Sequence, residues 1–152
     1  MKSYRLLFSL LLPLTLLAGS CTRQTQDEID EEKIWKYLKE NAPVGFVGHG
    51  SGVWYKILEP GSGGHPSVSS TITVNYKGTL LNKEVFDQTT GTPREFPLAN
   101  LIEGWKIAVP FLQKGGKGTF ILPSRLGYGP NPPPGIPANS VLVFEIELVN
   151  FR

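Results

Sequence analysis

Along residues 71–78 apolar and polar side chains alternate, with Ile72, Val74 and Tyr76 set against Thr71, Thr73 and Asn75. That is the period of a half-buried strand, and it points Tyr76 toward the core. The same rhythm returns within residues 141–151, where Leu142, Phe144, Ile146 and Leu148 face away from Glu145 and Glu147. Residues 53–59, "VWYKILE", are rich in β-formers and close at the turn "PGSGG"; shorter strands are predicted at 84–87, after a turn at 81–83, and at 119–122. Between them "QTTGTPRE" reads as a polar loop before Phe96. One helical period interrupts the strands: Leu101, Trp105, Ala108, Val109 and Leu112 share a face, Asn100 with Glu103 reads as a capping pair, and Pro110 and "KGGKG" end it. The predicted order is β-β-β-α-β-β.

A second helix is predicted upstream, over residues 26–41. Thr25 and Glu28 form a capping box, the acidic run Asp27, Glu28, Asp30, Glu31 and Glu32 suits the positive end of the helix dipole, and Ala42-Pro43 ends the pattern. Ile29, Ile34, Trp35, Tyr37 and Leu38 make an incomplete apolar stripe, in which Ile34, Tyr37 and Leu38 share one face. This face either packs on the domain or pairs with a second copy to make a homodimer. The acidic run itself reads as a solvated turn. Residues 43–52, with Gly45, Gly48, Gly50 and Gly52, read as a flexible hinge in which His49 is exposed to solvent.

The first twenty residues follow a different pattern. Lys2 and Arg5 precede an apolar stretch over 6–18, and "LAGSC" follows with small residues before Cys21, the grammar of an export signal too short for a membrane span. Cys21 is the only cysteine, so no disulfide can form within one chain. The segment resembles the lipobox of bacterial lipoproteins, although Ala18 stands where leucine is usual. The resemblance implies a chain cut before Cys21, lipidated there, and held on a membrane face outside the cytoplasm, at the periplasm or cell surface and on the outer membrane. With Lys2 and Arg5 removed, 13 basic groups balance 13 acidic ones, and the concentrated basic face that nucleic-acid binding requires is missing. The expected organisation is a signal peptide at 1–20, an anchored helix and glycine-rich linker at 21–51, and a folded domain at 52–152.

The chemistry of that domain is that of an apolar pocket with few polar handles. Tyr76, Phe86, Phe96, Trp105 and Phe144, with Leu101, Ile102 and Ile136, would strip water from a small apolar ring, while Asp87 and the Tyr128 hydroxyl orient it by hydrogen bonds. No nucleophile with an adjacent base stands out. His49 and His65 are the only histidines, so neither a metal nor another cofactor is expected.

Individually each of these aromatics reads as an ordinary core residue. Together the phrases "VNYKGTL", "VFDQT", "LIEGWKIAV", "PSRLGYG" and "SVLVFEIEL" resemble, in order and spacing, the FKBP-type peptidyl-prolyl isomerases, from about residue 52 to the end of the chain. The resemblance implies an α+β fold, a twisted antiparallel sheet wrapped around one short helix, here preceded by the N-terminal helix. It implies rotation of Xaa-Pro bonds in exported polypeptides, with no cofactor and with macrolides such as rapamycin as ligands. Trp105 would be the floor under the proline ring, with Tyr76, Phe96, Leu101, Ile102 and Phe144 as walls and Phe86 and Ile136 as rim. The N–H of Ile102 and the phenol of Tyr128 would donate to substrate carbonyls, and Asp87 would face the twisting amide. Two departures from the family pattern stand out. Thr92 occupies a place where many members carry an arginine that pairs with the aspartate, leaving Arg94 as the substitute, and the "GPNPPPGIP" loop is short and lacks a histidine at its tip. The alternative reading is a membrane-tethered chaperone or peptide-binding module that uses the same pocket with little turnover.

Overall fold

The computed structural model describes residues 23–41 and 44–152. The export signal, Cys21 and the Ala42-Pro43 helix stop lie outside the described residues. Helix α1 (Gln26–Asn41) starts at the expected capping box. The Thr25 N–H donates to Glu28 Oε2 at 2.7 Å and the Glu28 N–H donates back to Thr25 Oγ1 at 3.3 Å. The Thr25 N–H, and after it the Thr25 hydroxyl, hold the Glu28 carboxyl below the usual carboxylate range.

The strands are β1 (Val47–Gly48), β2 (Trp54–Glu59), β3 (Thr71–Leu80), β4 (Val85–Gln88), β5 (Arg94–Pro97), β6 (Gly116–Leu122) and β7 (Leu142–Phe151). They form one antiparallel sheet in the order β1-β2-β6-β7-β3-β4, with β5 also paired to β3. The long strands β3 and β7 lie side by side at its centre, from Ile72 opposite Phe151 to Leu80 opposite Leu142. Helix α2 (Glu103–Ala108) crosses the inner face. Its close approach rests on Gly104, where a Cβ would lie 2.4 Å from Leu122 Cδ1.

Three expectations need correction. The loop "QTTGTPRE" contains the start of a strand, because Arg94 and Glu95 pair with Val74 and Thr73 along a polar edge whose side chains reach solvent. The hinge over 44–52 contains β1, which pairs with β2, and the exposed His49 ring stands edge-on to Phe111 at 5.5 Å and hydrogen bonds Ser51. Asn100 does not cap α2. The N-cap is Ile102, without a side-chain cap bond, and Glu103 pairs instead with Lys106 at 2.6 Å.

The core has two layers. On the inner face Ile72, Val74, Leu98, Trp105, Ala108, Leu112, Phe120, Leu122, Leu142, Phe144 and Leu148 pack around α2. On the outer face α1 lays Ile34 and Leu38 against Ile121, Val141 and Val143. The face expected either to dock or to pair with a second copy is thus occupied by the chain's own sheet, while Trp35 stays exposed with its ring against Trp54 at 4.7 Å. Asp30 shares the buried face with Ile34 and Leu38 and is itself fully buried, so the acidic run is not solvated throughout.

Candidate active site

The inward residues of β3 and β7 set one wall of a concave site. Tyr76 is the last large inward side chain of β3 before Gly78, where a Cβ would come within 2.7 Å of Phe86 Cζ and 2.9 Å of Phe144 Cε1. Only glycine lets both rings reach the strand there. A run of edge-to-face rings results: Phe96 to Tyr76 at 6.2 Å, Tyr76 to Trp105 at 5.3 Å, Trp105 to Phe144 at 5.4 Å, and Phe144 to Phe86 at 5.6 Å. Each contact sets the positive edge of one ring against the negative face of the next, which fixes ring orientation as well as area. Trp105, 4% exposed, is held from beneath by α2.

A cavity of about 230 Å³ opens over this run, lined by Tyr76, Asp87, Phe96, Asn100, Leu101, Ile102, Trp105, Tyr128 and Phe144. Of the residues named from sequence, Phe86 and Ile136 do not line it. Phe86 buttresses Phe144 from behind, and Ile136 packs on the core as a half-buried residue of the 127–140 loop. Asn100 was missed as a lining residue because its position before a helix made capping its evident task.

The polar groups gather at the mouth. The Tyr76 hydroxyl donates to Asp87 Oδ2 at 2.5 Å, and Arg94 Nη1 donates to the same hydroxyl at 3.2 Å while standing 3.8 Å from Asp87 Oδ1. Burial, the hydrogen bond to Asp87 and the Asp87 charge push the Tyr76 phenol up to about 12, with Arg94 opposing. Burial, then the Asp87 charge, raises the Tyr128 phenol in the same sense. Both phenols therefore stay protonated, as donors, across the physiological range. The Ile102 N–H, at the N-cap of α2, makes no hydrogen bond among the described residues. The site thus offers apolar walls, a fixed carboxylate, a phenolic donor and a backbone donor, a set suited to holding and orienting an amide.

The gap between β4 and β5 falls opposite Tyr76. Both strands run along the same edge of β3, and between them the Thr89 N–H donates to the Tyr76 carbonyl at 3.0 Å while Thr89 Oγ1 accepts the Tyr76 N–H at 3.0 Å. Tyr76, opposite Ile146 of β7 on its other edge, is thereby fixed also on the edge where neither β4 nor β5 reaches it.

Residues 63–149 match the family model described as FKBP-type peptidyl-prolyl cis-trans isomerase. The chain is 40% identical over 134 residues to the FKBP-type peptidyl-prolyl cis-trans isomerase FkpA of Escherichia coli, covering 86% of this chain and 50% of that protein. The crystal structure of Escherichia coli FkpA superposes with a TM-score of 0.74 at 37% identity, over 84% of this chain and 62% of that one. That of a peptidyl-prolyl cis-trans isomerase from Pseudomonas syringae superposes with a TM-score of 0.72 at 30% identity, over 86% of this chain and 98% of the other. The chain spans about half the length of the curated relatives it matches.

Proposed function

Because the chain belongs to the FKBP-type peptidyl-prolyl cis-trans isomerase family, we propose that it accelerates rotation about Xaa-Pro bonds in proline-containing polypeptides. The observation that carries this reading is the ring run from Phe96 to Phe86 under a mouth holding Asp87, Tyr128 and the free Ile102 N–H. In this reading the prolyl ring rests on Trp105 between Tyr76, Phe96, Leu101 and Phe144. The Ile102 N–H and the Tyr128 phenol hold substrate carbonyls on either side of the rotating bond.

Amide physics supplies the mechanism. Resonance holds the Xaa-Pro bond planar behind a barrier of roughly 18–20 kcal/mol. The planar amide separates charge between oxygen and nitrogen, and twisting reduces that separation. An apolar pocket disfavours the planar state more than the twisted one, and each ~1.4 kcal/mol of difference gives about tenfold in rate. Asp87, fixed by Tyr76 and Arg94, orients the bound peptide and takes no proton. The same apolar floor accepts macrolides such as rapamycin.

The sequence before Thr22 supports an exported lipoprotein anchored through Cys21 and facing the periplasm or cell surface. Two or more acyl chains would hold it stably on a bilayer, where its substrates are other exported chains. The deciding experiment is isomerisation of short Xaa-Pro peptides by the chain from Thr22 onward, with and without rapamycin. Acceleration that rapamycin abolishes supports the reading; a folded sample that leaves the uncatalysed rate unchanged overturns it in favour of a tethered peptide-binding module. Mass spectrometry of the native protein showing an unmodified Cys21 overturns the anchor.

A further inference from the structure

The isomerase reading makes no use of Asp30, a carboxylate 0% exposed; among the described residues the other buried polar side chain is Ser124, at 1%. These two meet. Asp30 Oδ2 accepts the Ser124 N–H at 2.7 Å across 94 residues of sequence, and Asp30 Oδ1 accepts the Gln26 side-chain amide at 2.8 Å. Ser124 opens the short 3-10 turn Ser124–Leu126, whose N-cap, Pro123, provides no side-chain cap. The first N–H groups of such a turn lack partners within it. Asp30 therefore supplies from α1 the capping acceptor that the local sequence lacks.

The other side of Ser124 leads to the site. Its carbonyl accepts the N–H of Gly127 at 3.0 Å and that of Gly129 at 2.9 Å, the two residues that flank Tyr128. Gly129 in turn accepts the Asn139 N–H at 2.8 Å, which closes the base of the loop between β6 and β7. A second tie runs in parallel: Arg125 Nε stands 3.0 Å from Asp27 Oδ1 and its guanidinium donates to the Ser51 carbonyl. From α1 to the Tyr128 loop there is thus a continuous path through one buried carboxylate and the two main-chain groups of one residue, Ser124.

We propose that Asp30 is a positioning residue for the Tyr128 loop, and that α1 is for this reason a working part of the substrate site. The proposal rests on the reading of Tyr128 as a substrate-facing donor. Removing the carboxylate leaves the Ser124 N–H buried without an acceptor, so the turn must shift to find one, and the carbonyl that holds Gly127 and Gly129 shifts with it. Asparagine keeps an acceptor for Ser124. Its amide group can be met by the Gln26 carbonyl oxygen once the Gln26 amide flips, so Asp30→Asn restores the arrangement that Asp30→Ala breaks.

The test uses the protein labelled with 3-fluorotyrosine, its Tyr128 resonance assigned with Tyr128→Phe. In folded Asp30→Ala the fluorine resonance of Tyr128 moves or broadens while that of Tyr55 does not, and kcat/KM for an Xaa-Pro peptide falls about twofold to tenfold. Asp30→Asn returns both toward the unaltered protein. In the Tyr128→Phe background the same alanine substitution costs less than it does alone. An unmoved Tyr128 resonance in folded Asp30→Ala, or losses that simply add, overturns the proposal and leaves Asp30 a purely structural residue. If Asp30→Ala does not fold, Asp30→Glu, whose longer side chain displaces the acceptor from Ser124, replaces it, and an unmoved resonance there counts equally against. The fluorine measurement needs no turnover, so an unaltered protein without isomerase activity sinks the catalytic reading separately.

Discussion

Arg94 stands 3.8 Å from Asp87 and donates to the hydroxyl that Asp87 accepts. Strand β5 begins at Arg94, whose side chain turns back over Tyr76. In the proposed function, the cation that the family resemblance expects at position 92 is relocated to Arg94.

Replacing Arg94 tests that relocation. The two side chains are 55% and 49% exposed, so screening limits their interaction to about 1 kcal/mol or less. Arg94→Ala should lower kcat/KM by less than about fivefold, a loss that shrinks as salt is added. Thr92→Arg in the otherwise unaltered chain should change nothing; a severalfold gain would show that Arg94 does not fill the position.

The Tyr76 phenol gives a signature in alkali. Its folded value of about 12 lies above its ordinary 10.0, so its contribution to stability is fully present below pH 10 and is lost as pH rises from there through about 12. Tyr128 and Tyr37 are raised in the same sense and add to the slope. Denaturant unfolding across this window should show falling stability, less steep in Tyr76→Phe. An equal slope in the two proteins would count against a shifted Tyr76.

Gly78→Ala should open the rim. The added methyl must displace the Phe86 and Phe144 rings or the strand itself, at a cost of typically 1–3 kcal/mol. Thermal unfolding should report the loss, and rapamycin affinity should fall with it because Phe144 lines the cavity. Unchanged affinity in a destabilised variant would mean that Phe86 alone yields.

Ile34→Ala should loosen α1 from the sheet. The side chain is 1% exposed between strands β6 and β7, and truncation there costs about 2–5 kcal/mol. Hydrogen exchange should speed up in α1 and at Ile121 and Val143 more than in β3. Uniform acceleration would instead mark α1 as inseparable from the global fold.

Much of this arrangement is legible in the sequence because burial on a single face leaves a period. The alternation around Tyr76 and the helical spacing around Trp105 both survive into buried positions. Strand β5 escapes notice since Arg94 and Glu95 lie at an exposed edge and carry no apolar rhythm. The docking of α1 leaves a signal that is easy to pass over: alternation fails at Phe120, Ile121 and Leu122 and again at Val141 through Phe144, where both faces are covered. Asp30 is harder, because an acid near a helix start has an adequate explanation in the dipole, and only the fold reveals Ser124 beside it.

The pairing of Thr89 with both main-chain groups of Tyr76 frees the stretch at 90–93 from any duty in the sheet. Insertions and deletions there leave the ladder unbroken, since lengthening a surface loop adds little closure entropy. Divergence can therefore reshape the rim beside Asp87 while the aromatic floor stays fixed. Chimeras that exchange this stretch among relatives should fold alike and differ in which residue they prefer before proline.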